Sequence, residues 1–276
     1  MTPQPSPAPA AALDALLARA EAADRLLGRR WQPHHRPSRP GLFPDRDQAR
    51  TWLTSHAPAV AEAVCMARQE GLYEQAWRLC ASLSLPIETT EDPTRWIPFL
   101  QTGVEAAHHR GPLPCAVVLS LLGRCLLRAG ELGRAETALC GADHYWRRAD
   151  QPRGRADILC SLGNAALLDR DGGLAEARYR RAWALYVGLG DERGMWTIRY
   201  LLGEAYLAQG RYDRAVEYLR TAWDWFADHG DHDRAVRISQ SLERALCCAD
   251  GSTAAEGPTA HMQSAIPPVL GPSTGA

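Results

Sequence analysis

The sequence predicts an all-α fold in which antiparallel helix pairs stack as a right-handed α-solenoid. A Leu-Gly pair recurs at a spacing of 40 residues, at positions 122–123, 162–163 and 202–203. Small residues also recur at fixed distances after each of these glycines. No segment shows the alternation of apolar and polar residues that is typical of a half-buried β-strand. Because amphipathicity alone has no 40-residue period, the agreement indicates a stacked repeat.

Alanine supplies the small residues of the repeat. It stands twelve residues after each glycine and again seven residues further on, at Ala135, Ala175 and Ala215, and at Ala142, Ala182 and Ala222. Glycine and alanine allow two helix backbones to approach closely. An aliphatic column five residues before each glycine continues into Ile238, which marks a fourth, incomplete copy. In that copy Glu243 replaces the glycine.

These offsets are typical of the tetratricopeptide repeat (TPR), whose usual length is about 34 residues. We place the additional residues in a longer second helix and its exit loop. The loops at 190–194 and 230–234 begin Gly-Asp, and glycine can end one helix while aspartate caps the next. HEAT-type repeats also have periods near 40 residues, but the Gly/Ala skeleton favours the TPR. The predicted repeats occupy residues 113–250.

The segments outside the repeats differ in composition along the chain. Residues 1–12 are rich in Pro and Ala and are expected to be disordered, and residues 13–44 are expected to form a short helix and a linker. Residues 45–112 carry helical periodicity and predict N-terminal helical pairs, with Asp45 as an N-cap. Residues 251–276 are rich in Gly, Pro, Ser, Thr and Ala, so a disordered tail is expected.

Composition excludes several classes of function. The formal net charge is −1, which argues against a general nucleic-acid binder or a polybasic membrane anchor. All 31 basic residues are Arg, so a P-loop lysine and a Schiff-base lysine are both absent. The Arg, Ala, Gly and Pro bias indicates a GC-rich bacterial source. Neither a secretory signal nor a CxxC motif is visible, so a cytoplasmic location is expected.

The chain resembles the C-terminal TPR sensor arm of bacterial NB-ARC/STAND regulators, including the SARP-type regulators of antibiotic pathways. The resemblance rests on the long repeats with Gly-Asp loops and on three N-terminal segments, at 20–27, 43–53 and 59–64. The pair Thr102-Gly103 also fits that pattern. The nucleotide-binding and DNA-binding domains of the family are missing from this sequence. The resemblance therefore implies a sensor arm, without ATP hydrolysis or DNA binding.

In a TPR stack, the first helix of each repeat lines a groove. Counting from each glycine, the inward-facing columns provide Arg donors, amide groups and two carboxylates, which suits an extended peptide or an amphipathic helix. A solvated polar face is the alternative reading. The predicted groove residues are Arg124, Arg128, Asp157, Asn164, Tyr200, Glu204, Arg237 and Gln240.

The sequence therefore predicts a non-catalytic scaffold that binds a protein or peptide partner, with a role in control of transcription or secondary metabolism. The alternative is a small-molecule effector sensor. No spacing indicates a catalytic triad, and the acidic and histidine run at 228–233 falls on a repeat loop, so neither a metal nor a cofactor is expected. Ile238 and Leu242 lack a following helix to cover them, which would allow a homodimer through the fourth repeat.

Overall fold

The computed structural model describes residues 7–27 and 41–250, and the regular elements of these residues are helices. The chain divides into two compact units, Met1–Asp150 and Gln151–Ala276. Unit 1 contains α1 (Pro7–Leu26), α2 (Arg46–Gln69), α3 (Tyr73–Ser82), α4 (Ser84–Thr89), a 3-10 turn (Thr94–Trp96), α5 (Ile97–His108), α6 (Pro112–Arg128) and α7 (Leu132–Arg148). Unit 2 contains α8 (Pro152–Leu168), α9 (Gly172–Leu189), α10 (Glu192–Ala208), α11 (Tyr212–Asp228) and α12 (His232–Ala249).

The first helix begins earlier than the sequence predicted. Residues 7–12 belong to α1, so this part of the segment expected to be disordered is helical. The physical reason is that alanine has the highest helix propensity and that proline is well tolerated in the first turn of a helix. Residues 1–6, most of the predicted linker at 28–40 and the predicted tail at 251–276 lie outside the described residues.

Unit 1 packs α1 against the following helices through a bidentate ion pair. Arg78 Nε and Nη2 donate to the two carboxylate oxygens of Glu21, at 2.6 and 2.7 Å. One turn further along α1, Asp24 accepts from Ser84 Oγ at 3.2 Å. The first predicted repeat, α6 with α7, belongs to this unit, because the boundary between the units falls after Asp150.

Unit 2 contains two complete helix pairs, α8 with α9 and α10 with α11, followed by α12. One continuous apolar core runs through these five helices, from Ala156 on α8 to Ala245 on α12. The largest fully buried side chains of this core are aromatic, namely Tyr179, Tyr186, Tyr206 and Phe226. Successive helices of the unit therefore share a core with their sequence neighbours, as expected for a repeat stack.

The repeat glycines lie at a close contact between the two helices of each pair. A Cβ atom added at Gly203 would lie 2.7 Å from Leu219 Cγ, and one at Gly123 would lie 2.6 Å from the corresponding atom of Leu139. At Gly163 the neighbour is the ring of Tyr179, with Cδ1 at 2.6 Å. In each repeat the neighbour is the residue sixteen positions after the glycine. The Leu-Gly columns therefore identify a real helix–helix contact.

Two aspartates in unit 2 connect one repeat to the next. Asp191 caps α10 through Gly194 N at 3.1 Å, while its other carboxylate oxygen accepts from Arg153 at the start of α8. Forty residues later, Asp231 caps α12 and accepts from Arg193 in the same way. Each carboxylate therefore serves both as a helix cap and as the partner of an arginine from the preceding repeat.

Candidate functional site

The predicted groove residues of α8 lie in the interior of unit 2. Asp157 is 2% exposed, and its Oδ1 accepts a hydrogen bond from the hydroxyl of Tyr186. Asn164, also buried, accepts through Oδ1 from Tyr179 at 2.7 Å. Burial raises the pKa of both tyrosine hydroxyls well above the usual value, so both hydroxyls stay protonated and serve as donors. These two polar residues hold α8 to α9.

The predicted groove residues of α10 form a polar cluster with α12. Glu204 accepts from Arg244 Nη2 at 3.2 Å, and the same nitrogen reaches Ser241 Oγ at 2.9 Å. Tyr200 is buried one turn before Glu204. Its pKa is raised, mainly by burial and then by the Glu204 carboxylate, while Ser241, Arg237 and Arg244 oppose the shift. We name Glu204, Arg237, Gln240 and Arg244 the α10–α12 face.

Gln240 is exposed and Arg237 is half-buried, so both are accessible members of the α10–α12 face. Arg244 is half-buried as well, but it is engaged with Glu204. Arg237 Nε makes a long contact of 3.4 Å with the backbone oxygen of Asp233. The guanidinium offers five N–H donors in a planar fork, and the amide of Gln240 offers both donors and an acceptor. Together these groups can grip a carboxylate or read the backbone of a bound segment.

Arg124 and Arg128 belong to unit 1, where each contacts the segment around α4. Arg124 is buried, with Nη2 3.7 Å from Glu88 Oε1. Arg128 donates to the backbone oxygens of Ile87 and Thr90, the latter at 2.6 Å. Both side chains therefore hold the end of α4 against α6. Their predicted role in partner binding stays a prediction.

A row of aromatic and arginine side chains between α10 and α11 was not predicted. Trp196 stacks on Trp225 with ring centroids 5.8 Å apart. Arg199 follows, with Cζ 4.7 Å from the ring centroid of Tyr218, and Tyr218 meets Tyr206 edge-on at 5.0 Å. The positions forty residues earlier hold other residue types, such as Ala156 and Leu159, so a search for recurring residues could not find this row.

The described residues contain no group of three or more His, Cys, Asp or Glu side chains that could hold a metal ion. No helix in the described part of the chain is both long and apolar enough to cross a membrane.

Comparison with known proteins agrees with the repeat fold. Residues 166–241 match the family model of the tetratricopeptide repeat. No curated protein matches the chain significantly. Among solved structures, BtubC (BKLC) from P. vanneervenii is similar, with a TM-score of 0.53, 16% sequence identity and coverage of 74% of this chain and 89% of that chain. A putative kinesin light chain with TPR-like repeats from Podosopora anserina has a TM-score of 0.45 at 15% identity, and covers 72% of this chain and 89% of that chain.

The family match covers the last three residues of α8, the whole of α9, α10 and α11, and the first ten residues of α12. The contact between Gly203 and Leu219 lies within the matched residues. The chain has the fold of a TPR-like α-solenoid, in which consecutive helices pack as repeated pairs.

Proposed function

We propose that this chain is a non-catalytic scaffold that binds a protein or peptide partner at the α10–α12 face. TPR repeats generally mediate protein–protein interaction, and a TPR fold is typically a non-catalytic scaffold. The observation that carries the proposal is the accessible pair formed by Arg237 and Gln240 beside the Glu204–Arg244 ion pair. This mixture of forked donors, an amide and a carboxylate suits a segment that presents both backbone groups and acidic side chains.

Only some of the predicted groove residues are accessible to a partner. Asp157, Asn164 and Tyr200 are buried, so they shape the fold beneath the face instead of contacting a partner directly. The accessible surface lies towards α12, where Arg237 and Gln240 stand one helical turn apart. A bound segment would therefore contact the last helix of unit 2 more than α8.

The experiment is affinity capture of partners from the native cell extract, followed by quantification for a double variant, Arg237→Ala with Gln240→Ala. The matched control is Arg220→Ala, which removes an exposed arginine from α11. We expect the double variant to lose the partner while the control retains it, with unchanged helicity in both. Equal capture by the double variant would exclude this face. Enrichment of a metabolite without any protein would favour the small-molecule sensor.

The proposal also includes a regulatory role for this chain. Its support is the resemblance in sequence to the TPR arms of NB-ARC/STAND regulators, which places control of transcription or secondary metabolism among the expected roles. Deletion of the gene in the source organism, followed by transcript profiling, tests it. An unchanged profile under conditions in which the protein is expressed would contradict this part and leave the binding proposal intact.

A further inference from the structure

The outer side of α12 is the position that a second helix covers in each preceding repeat. On α10, the residues that face α11 are Trp196, Arg199, Gly203 and Tyr206, as their contacts with Trp225, Tyr218 and Leu219 show. The residues forty positions later on α12 are Val236, Ser239, Glu243 and Leu246. We name these four residues the α12 stripe. In the described residues no helix follows α12.

Two apolar members of the α12 stripe are exposed. Val236 is 57% exposed and Leu246 is 36% exposed, whereas the residues at the equivalent positions of α6 and α8 are buried. Trp223 on α11 is an exposed aromatic residue of the same unit. Ile238, which the sequence suggested would be uncovered, is fully buried in the core. The uncovered apolar surface is therefore the α12 stripe and does not include Ile238.

Glu243 determines which side chain a docked helix needs opposite it. In the three preceding repeats this column is glycine, and the docked helix places the apolar side chains Leu139, Tyr179 and Leu219 against it. A leucine against Glu243 would meet a longer side chain than glycine and would remove a carboxylate from water without a partner, which is unfavourable. An arginine or lysine at that position would instead form a charge-assisted hydrogen bond.

We propose that the α12 stripe binds an amphipathic helix of a partner protein, with a basic residue facing Glu243 and apolar residues facing Val236 and Leu246. The chain's own C-terminal segment suits this chemistry poorly, because residues 251–276 contain neither Arg nor Lys. Their one basic residue, His261, stands in a stretch of eight residues between Pro258 and Pro267, which is shorter than the α12 stripe, and proline is poorly tolerated inside a helix. A second α12 does not supply it either, since the four residues of its stripe include no cation and would bring a second Glu243 into the contact. This surface is separate from the α10–α12 face.

The probe is a peptide with the sequence of α11, residues 212–228, since that helix occupies the equivalent place on α10. Two labelled peptides are compared: the native sequence, with Leu219, and the variant Leu219→Arg. Each is titrated by fluorescence anisotropy with the full chain and with its Glu243→Gly variant. We expect the Arg peptide to bind the native chain about tenfold more tightly than the Leu peptide, because it forms the charged pair. The preference should reverse in Glu243→Gly, which restores the glycine of the other repeats.

Two surface variants test the location of binding. Val236→Asp should abolish binding of the Arg peptide, whereas Val187→Asp, at a similarly exposed valine on α9, should leave it unchanged. Equal affinity of both peptides for both chains, or loss of binding in Val187→Asp as well, would overturn the proposal. A native chain that is dimeric by light scattering, and monomeric as Val236→Asp, would also overturn it by assigning the stripe to a second copy.

Discussion

Replacing Gly163 by alanine tests the helix contact on which the repeat rests. The added Cβ would lie 2.6 Å from Tyr179 Cδ1, whereas ordinary carbon contacts are about 3.5–4.0 Å. The ring must therefore move by about 1 Å. Tyr179 is fully buried and bound to Asn164, so it has little room to do so. Overpacking of this kind costs about 1–3 kcal/mol, and alanine regains about 1 kcal/mol of helix propensity.

The assay is urea denaturation followed by circular dichroism, with Gly141→Ala as the matched control. A Cβ at Gly141, in the middle of α7, would meet its nearest neighbour, Leu119 Cδ1, at an ordinary 3.5 Å. We expect Gly163→Ala to lower the free energy of unfolding and Gly141→Ala to raise it by up to about 1 kcal/mol. Gly163→Leu should be worse than alanine, since it adds a branched side chain. Stabilisation by Gly163→Ala equal to that of the control would refute the contact.

Three further predictions concern unit 2. Asp191→Ala should lower the free energy of unfolding in urea by about 1 kcal/mol more than Asp171→Ala. Both aspartates cap a helix, Asp171 through Leu174 N and Asp191 through Gly194 N, but Asp191 also binds Arg153. Equal losses of stability would contradict the double role of Asp191. Tyr186→Phe should destabilise by about 1.5–3 kcal/mol and Tyr179→Phe by about 0.5–1.5 kcal/mol, since the first hydroxyl bonds a carboxylate and the second an amide; the reverse order would be inconsistent with this pairing. Burial raises the pKa of Tyr179 and Tyr186 in the folded state, so their contribution to the free energy of unfolding is complete below pH of about 10. That contribution is lost as the pH rises further, because the unfolded chain then releases protons that the folded chain retains. Urea denaturation at pH 9 and at pH 10.5 should therefore show a smaller loss of stability between the two pH values when both tyrosines are replaced by phenylalanine.

The repeat could be predicted from the sequence because close helix packing requires small residues at the same position of each copy. Gly123, Gly163 and Gly203 recur because each faces a large side chain sixteen residues later. The start of α1 was missed for a different reason. The alanines at 8–12 alternate with proline only at their beginning, and their high helix propensity outweighs the resemblance to a disordered segment.

The candidate site was harder to predict because a column gives the direction of a side chain but not its depth. Asp157 and Asn164 occupy inward columns, yet they are buried because Tyr186 and Tyr179 reach across to them. The other repeats hold Leu139 and Leu219 at the column of Tyr179, and Trp146 and Phe226 at that of Tyr186. A tyrosine in a column of large apolar residues was therefore the available signal, since a buried hydroxyl requires a polar partner on the facing helix.

The paired roles of Asp191 and Asp231 have a consequence for how such a chain can change in length. Arg153 and Asp191 are 38 residues apart, as are Arg193 and Asp231, so the α10–α11 copy carries both an aspartate for the junction that precedes it and an arginine for the junction that follows it. A recombination event that duplicates this copy therefore gives each new junction both partners. An insertion of part of a copy between the two residues would instead separate an arginine from its aspartate. Duplication of the α10–α11 copy is therefore a route by which this architecture can grow without loss of these inter-repeat contacts.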